Sequence, residues 1–483
     1  MSGTITMSMN LNDGNGYVDV STRKPNGLAV LDSLSIEWGT ANPYEQPEPA
    51  VCRFTLIDHA AQISADPTKL TGAKVKISLD NANIFAGTIT SGATITTETD
   101  HVRIDTSATS DYAIWKRLRS QGTEFPYWPG IRGKYYWYNA QQSTGLINEF
   151  NKRAKAAGAP QVDTPTLPGK RCYAPIAAGD YPSQFDMLHW LYAAYRLPLW
   201  AEWDAATIGH AYLIARRCKA LLSDWTFANY SQNNHRSTSP YIPNTRPLPA
   251  DKVQHDGRYT LGDPYTQYVF RGKRMIWETH TDVTGNLIVD EGLDVTDRDV
   301  TCTDDSKLPA ALKTSQKSVI VDSLTVMDCS TDLNPAPYSY TATPPTSVEK
   351  DDLSNLLKLL DTHLRPENLT VDSRTLDAAT YKHYFTPAML DGITITGTIK
   401  NPLARKVLAG TWMMIGGILT YGHHSGKPVL THRMHVIPVT DMHADDPTWT
   451  HTANWNGIYN TAGDMSLNTL CNVQQFNDRA INW

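Results

Sequence analysis

Six of the fifteen histidines fall in one stretch of the chain: His423, His424, His432, His435, His443 and His451. Neutral imidazole is the commonest side-chain ligand of a metal ion, so this stretch is the first candidate for a metal centre. Its pattern argues against one. Val429–Val439 reads as a strand, and residues three apart on a strand point to opposite faces. His432 and His435 then cannot share an ion. His423 and His424 sit beside Gly422 and Gly426 in a turn. The expectation is histidines facing solvent on strands and loops; a metal bridging an oligomer axis is the alternative.

Other chemistry is weaker. Asp290–Asp305 is rich in carboxylates, with Arg298 as its one base. A calcium loop needs closely spaced oxygens around a glycine turn, closed by a Glu. Asp294, Asp297 and Asp299 have neither the glycine nor the Glu, so solvated acid is expected. Gly14-Asn15-Gly16 is followed by no helix and no Lys-Ser/Thr, and reads as a turn and not a phosphate loop. Neither His-Glu-x-x-His nor Gly-x-Ser-x-Gly occurs, which removes the strongest markers of a zinc peptidase or a serine hydrolase. Paired carboxylates for glycoside cleavage are set by spatial separation and are not legible in sequence. Phe125–Tyr138 is an aromatic loop that could stack on sugar rings, although aromatics serve protein interfaces more often. Six cysteines are widely spread without a Cys-x-x-Cys pair, so buried thiols are expected and a zinc ribbon or redox pair is not. The reading assigns no catalytic residue, no cofactor and no metal ligand.

The elements that would position such groups are mostly strands. Lys74–Leu79 alternates, with Val75, Ile77 and Leu79 on one face. Val51–Ile57, Ile84–Ile89, Thr94–Thr96 and His101–Thr106 follow the same habit. Asp80-Asn81, Gly87, Gly92 and Asp100 separate them. Short strands at close spacing with one polar face predict an antiparallel barrel or sandwich over 1–110. After Asp111, which is placed to cap a short helix, the pattern changes. Ser143 opens a helix with Leu146, Ile147, Phe150 and Ala154 inward, ended by Gly158. Ser183-Gln184-Phe185-Asp186 resembles a capping box with Asp in place of Glu. Leu197–Trp203 and Ala211–Ala215 are strand candidates, and 231–250 is a polar, Pro-rich linker. Residues 111–250 thus form a mixed α/β insertion. Strands resume at Thr266–Phe270. Met275–Thr281 and Leu287–Val289 flank a hairpin turn at Asp282–Asn286, and Ser318–Met327 is a further strand. Leu353, Leu356, Leu357, Leu360 and Leu364 predict a helix near 351–365, stopped by Pro366. The last strands are Gly392–Ile399, Lys406–Ile415, Ile418–Tyr421 and Val429–Val439, with Leu430, Met434, Val436 and Val439 inward. A second β domain is therefore expected over 251–440. Residues 441–483 hold few aliphatics but carry Trp449 and Trp455, and are read as an extended arm docked by aromatic anchors.

The chain has 483 residues and a formal charge of −6. Its length favours several domains, and its balance excludes disorder and nucleic-acid binding driven by bulk charge. The start lacks a basic and apolar leader pattern. The most apolar run, 412–422, is about half as long as a membrane span of ~20 residues. Synthesis in the cytoplasm as a soluble protein is the expectation.

The most specific stretch is Leu31–Asp58. It resembles the N-terminal segment of minor tail proteins from siphophages of actinobacteria. In that family a strand ending in Trp-Gly precedes a Gln-Pro-x-Pro loop and a strand of the form Phe-x-Leu-x-Asp. Here these are Trp38-Gly39, Gln46-Pro47-Glu48-Pro49 and Phe54-Thr55-Leu56-Ile57-Asp58. Ile84-Phe85-Ala86-Gly87-Thr88-Ile89 is similar to a strand of tail-hub proteins, and 109–118 is similar to the step that leaves the first hub barrel. The family often has Arg after Trp-Gly, where this chain has Thr40. The resemblance is good over 28–120 and extends in part to 392–440 and 448–459.

The resemblance implies a mainly β fold with an α/β insertion and two tail-tube-like barrels. It implies a structural virion protein at the phage tail tip, the baseplate hub. Three chains would place six barrels in a ring and convert sixfold to threefold symmetry. Distal tail and tape measure proteins would be neighbours, DNA would pass through the lumen without specific binding, and the acids of Asp290–Asp305 would be solvated or face that lumen. The host envelope would be met only indirectly. The alternatives are a distal tail protein forming a hexameric ring and a tail-associated protein that binds or hydrolyses cell wall. A further alternative has 111–250 binding glycans as part of a receptor-binding protein.

Overall fold

The computed structural model describes chiefly residues 3–21, 29–42, 47–59, 63–119, 143–159, 182–194, 245–254, 266–281, 287–303, 317–331, 368–388, 392–408 and 411–438, with short strands between them. The predicted helix at 351–364, the arm 441–483 with Trp449 and Trp455, His443 and His451, and most of the aromatic loop at 125–141 lie outside the described residues.

The protein is mainly β, and its largest unit is a sheet of thirteen strands. Eight come from the first part of the chain: β1 (Ile5–Asn10), β2 (Val18–Asp19), β3 (Val30–Gly39), β4 (Glu48–Asp58), β5 (Lys74–Leu79), β6 (Ala82–Ile89), β7 (Thr94–Thr97) and β8 (Val102–Ser110). They run antiparallel in the order β3-β4-β8-β6-β5-β1-β2, with β7 also on β8. The far end of this path returns to its start. Val20 N–H donates to the Met7 carbonyl at 2.8 Å, and Leu31 N–H donates to the Val20 carbonyl at 2.7 Å. Val20, the residue after β2, thus links β1 to β3, and Met7, Ile36, Phe54, Ile77, Phe85 and Ile104 belong to one buried core.

Local chemistry explains these strands. Asp80 and Asn81 both take positive φ (45° and 65°), the two-residue turn that matches strand twist and that Asn tolerates. Alternation buries Val75, Ile77 and Leu79. Lys76, on the opposite face, is buried too, with its Nζ 3.6 Å from the centroid of the Tyr17 ring. Burial lowers the Lys76 pKa.

The same sheet continues into strands from the other end of the chain. Thr245–Pro249 runs parallel to Gly392–Thr396. Gly392–Thr396 pairs with the beginning of Thr411–His424. That strand pairs along its other edge with Lys427–Pro438, which holds Leu369–Asp372. The separate strands expected at Lys406–Ile415 and Ile418–Tyr421 are corrected here. Residues Pro402–Leu408 form a helix, because Asn401 Oδ1 accepts from the Leu403 and Ala404 N–H groups at 2.9 and 3.1 Å and Pro402 suits the first helical position. One unbroken strand then runs from Thr411 to His424.

Between β8 and Thr245–Pro249 lie helices at Ser143–Ala156 and Gln184–Ala194 and an antiparallel pair, Leu199–Trp203 with Ala211–Ala215. The capping box forms as read: Asp186 N–H donates to Ser183 Oγ at 3.1 Å, and Ser183 N–H donates back to Asp186 Oδ2 at 3.2 Å. Asp111 is not the cap of the turn after β8. Ser110 is, its Oγ accepting from Tyr112 N–H at 3.4 Å. A further sheet is built on a hairpin much longer than predicted, Gln267–Thr281 with Leu287–Thr303; Ser318–Thr331 lies parallel to the first arm. Among the described residues no helix is long and apolar enough to cross a membrane.

Candidate functional site

Three segments remote in sequence meet where β3 ends. Along one edge, Thr411–His424 pairs with Gly392–Thr396 through Met413, and from Gly416 onward it pairs with β3. The change of partner falls at an irregularity between Met414 and Gly416. This is the seam between the N-terminal strands and the C-terminal ones.

Glycine makes the seam possible. Gly39 has φ +71°, and a Cβ there would lie 2.3 Å from the Ile415 carbonyl oxygen. A Cβ on Gly416 would lie 2.4 Å from the Thr40 carbonyl oxygen, and one on Gly417 would lie 2.5 Å from that of Arg433. These obstacles are backbone, so no side-chain movement relieves them. Thr40 N–H completes the crossing with a 2.9 Å bond to the Ile415 carbonyl.

Trp38 and His432 lock the seam from inside. Trp38 Nε1–H donates to His432 Nε2 at 3.0 Å, although the residues are 394 apart. His432 Nδ1–H donates to the Tyr384 carbonyl at 2.7 Å. Each bond fixes the other: the carbonyl can only accept, so the proton sits on Nδ1 and leaves Nε2 free to accept. His432 is fully buried, and Trp38 is 3 % exposed. Burial drives the His432 pKa down to about 4, opposed by the bond to Tyr384. The ring is neutral at pH 7, and both its nitrogens are in use. Tyr384 is anchored in turn, its hydroxyl donating to the Arg246 carbonyl at 2.7 Å. The seam thus ties β3, Thr411–His424, Lys427–Pro438, the 382–385 turn and the Thr245–Pro249 strand together.

The histidine cluster does not act as a unit. His432 points inward, against the expectation that these histidines face solvent, because residues 430, 432, 434 and 436 share the buried parity of the strand. His435 has the opposite parity and is half-buried, with its pKa lowered by burial. His423 is exposed and donates to the Asp32 carbonyl at 3.1 Å. No group of three or more metal-ligating side chains converges among the described residues. Trp38-Gly39 stands out in the sequence, but its partner His432 does not. The remaining signal was the adjacent pair Gly416-Gly417 inside an otherwise apolar strand, a mark of close backbone approach.

The acids of the long hairpin lie elsewhere. Asp297 and Asp299 are exposed. Arg271, opposite Asp299, makes two hydrogen bonds to it at 2.9 and 3.2 Å. Asp297 and Asp322 flank the same guanidinium at 4.0 and 3.9 Å. The counter-charge for Asp297 and Asp299 comes from the neighbouring strand. A shallow groove of about 570 Å³ on the polar face of β3, β4 and β8 is bordered by Ser35, Arg53, Thr55, Asp105 and Ser107. Its charges are already paired, Arg53 with Glu37 and Asp105 with Arg103.

No protein-family model matches the sequence, and no curated protein matches it. Among solved structures, the chain is similar to a tail protein from Neisseria meningitidis MC58, with 9 % identity over 90 % of this chain and 96 % of that one, at a TM-score of 0.45. It is similar to the 43 kDa tail protein of prophage MuSo2 from Shewanella oneidensis, with 10 % identity, coverage of 89 % and 98 %, and a TM-score of 0.46. For prophage tail protein gp18 from Listeria monocytogenes EGD-e the identity is 10 %, the coverage 89 % and 94 %, and the TM-score 0.39. With TM-scores under one half, these likenesses carry no conclusion about this chain.

Proposed function

We propose that the chain is a structural virion protein of a phage tail, placed at the tail tip as the baseplate hub. The observation that carries the reading is the position of Trp38-Gly39. The segment of closest sequence resemblance to siphophage minor tail proteins is also the strand that joins the two β blocks, through Gly416-Gly417 and His432. In this reading residues 1–110 form the first hub barrel, 111–250 an insertion, 251–440 the second barrel and 441–483 a docking arm. Three copies stand as six barrels and convert a sixfold tube to threefold symmetry, with distal tail and tape measure proteins as neighbours. The formal charge of −6 suits a passage for DNA, since basic walls would hold its phosphates by counterion release. Bonding of both His432 nitrogens within the fold, and neutralised groove charges, support a structural role over an enzymatic one.

The test is the mass of the assembled ring, by native mass spectrometry or sedimentation of the full chain with its tail-tip neighbours. Three copies are expected. Six copies would replace the hub with a distal tail protein. Zymography of the purified chain on host envelope is expected to be blank, and clearing by a folded sample would overturn the structural reading in favour of a wall hydrolase.

A further inference from the structure

We propose that His432 is an acid-sensitive latch: protonating its ring breaks the bond to Trp38 and opens the seam between the N-terminal and C-terminal β blocks, while each block keeps its own strands. The geometry leads there directly. Nδ1 already carries its proton for the Tyr384 carbonyl, so an added proton must go on Nε2. Nε2 is the atom that accepts from Trp38 Nε1–H at 3.0 Å. Two N–H donors would then face one another in a fully buried site, and the new charge would have no acceptor. The ring lies close against Gly417, where a Cβ would come within 2.9 Å of the same nitrogen.

The surroundings offer the cation no help. On its own strand the neighbours are Arg433 and His435, and His435 disfavours a second charge. From β3 comes Glu37, which acts on His435. The 382–385 turn brings Lys382 and His383, and Lys382 is committed to the Asp80 carbonyl at 2.9 Å. From Leu369–Asp372 comes Asp372, which is held by Arg374. On Thr411–His424 the residue directly across is Leu419. No described carboxylate bonds to the His432 ring.

The sign follows from burial. The folded value is depressed from 6.5 to about 4, so the open form binds the proton more readily throughout that interval. The closed seam has its full stability above pH 6.5. It loses up to about tenfold in the closed-to-open ratio per pH unit as pH falls from there toward 4, and loses nothing further below that.

The test is hydrogen exchange of the full chain, corrected for the intrinsic pH dependence of exchange and read at Trp38–Thr40 and Gly416–Ile418 against β5 and β6 as an internal reference. Between pH 6.5 and 4.5 the seam amides are expected to lose protection by up to about a hundredfold while the reference changes little. His432→Gln keeps one acceptor and one donor but cannot take up a proton, so its seam is expected to be flat over this range. Equal loss in both proteins, or loss in the reference matching that at the seam, would overturn the latch. Should the variant fold poorly, the wild-type Trp38 indole N–H serves alone: its exchange must accelerate across the same interval, and a constant rate refutes the proposal.

Discussion

The seam and the long hairpin both hold strands together, but by opposite means. The contacts that lock the seam carry no charge. Backbones cross at Gly39 and Gly416 with no space for a methyl group, and a neutral histidine satisfies an indole. On the hairpin, Arg271 gathers Asp299, Asp297 and Asp322 across three strands in solvent, with Arg271 itself about one-third exposed. Shape fixes the first contact and charge the second. A buried contact made by shape has one solution and fails abruptly. An exposed ionic contact is screened by salt and replaceable by water.

Substitution should expose this difference, most strongly at the seam. Gly39→Ala is expected to cost on the order of 4 kcal/mol or more, because left-handed backbone strain is joined by a backbone clash. Gly14→Ala is the control. Gly14 also has positive φ (87°) but nothing lies within 4 Å of its Cβ position, so only about 1–2 kcal/mol should be lost. Equal losses in urea denaturation would show that the crossing itself contributes nothing. Next comes Asp58→Ala. This buried carboxylate accepts from Ile63 N–H, Ser64 N–H and Ser64 Oγ, and about 2–3 kcal/mol should go with it. Trp38→Phe removes one donor and leaves His432 Nε2 buried without a partner, an expected loss of about 1–3 kcal/mol. If the loss is no larger than for an exposed aromatic, the hydrogen bond is not what holds the seam. Smallest of all, Arg271→Ala should cost under about 1 kcal/mol, and the cost should shrink in high salt. A large, salt-independent loss would mean that the hairpin is held by packing after all.

Much of the N-terminal block was legible in the sequence. The Lys74–Leu79 strand has the predicted limits, and the Asp80-Asn81 turn and the Ser183–Asp186 capping box form where local chemistry puts them. Structure and sequence expectation part at two places in the C-terminal strands. The stretch around Lys406 looked like strand by its apolar content, but Asn401-Pro402 nucleates a helix there. The twin glycines at 416–417 looked like a break between strands, but they are where a continuous strand meets its neighbours.

Residue order by itself determined the element types, the turns and the caps, because these depend on neighbours a few positions apart. It also supplied the alternation that makes one face of each strand apolar. Only the tertiary structure decided that β3 pairs with a strand nearly four hundred residues away, that His432 is buried and neutral, and that the carboxylates near residue 300 answer to Arg271. Strand pairing is a contact between distant parts of the chain, and a histidine has the same sequence signature on either face of a strand. Its chemistry is set by what lies opposite, and here that is a tryptophan.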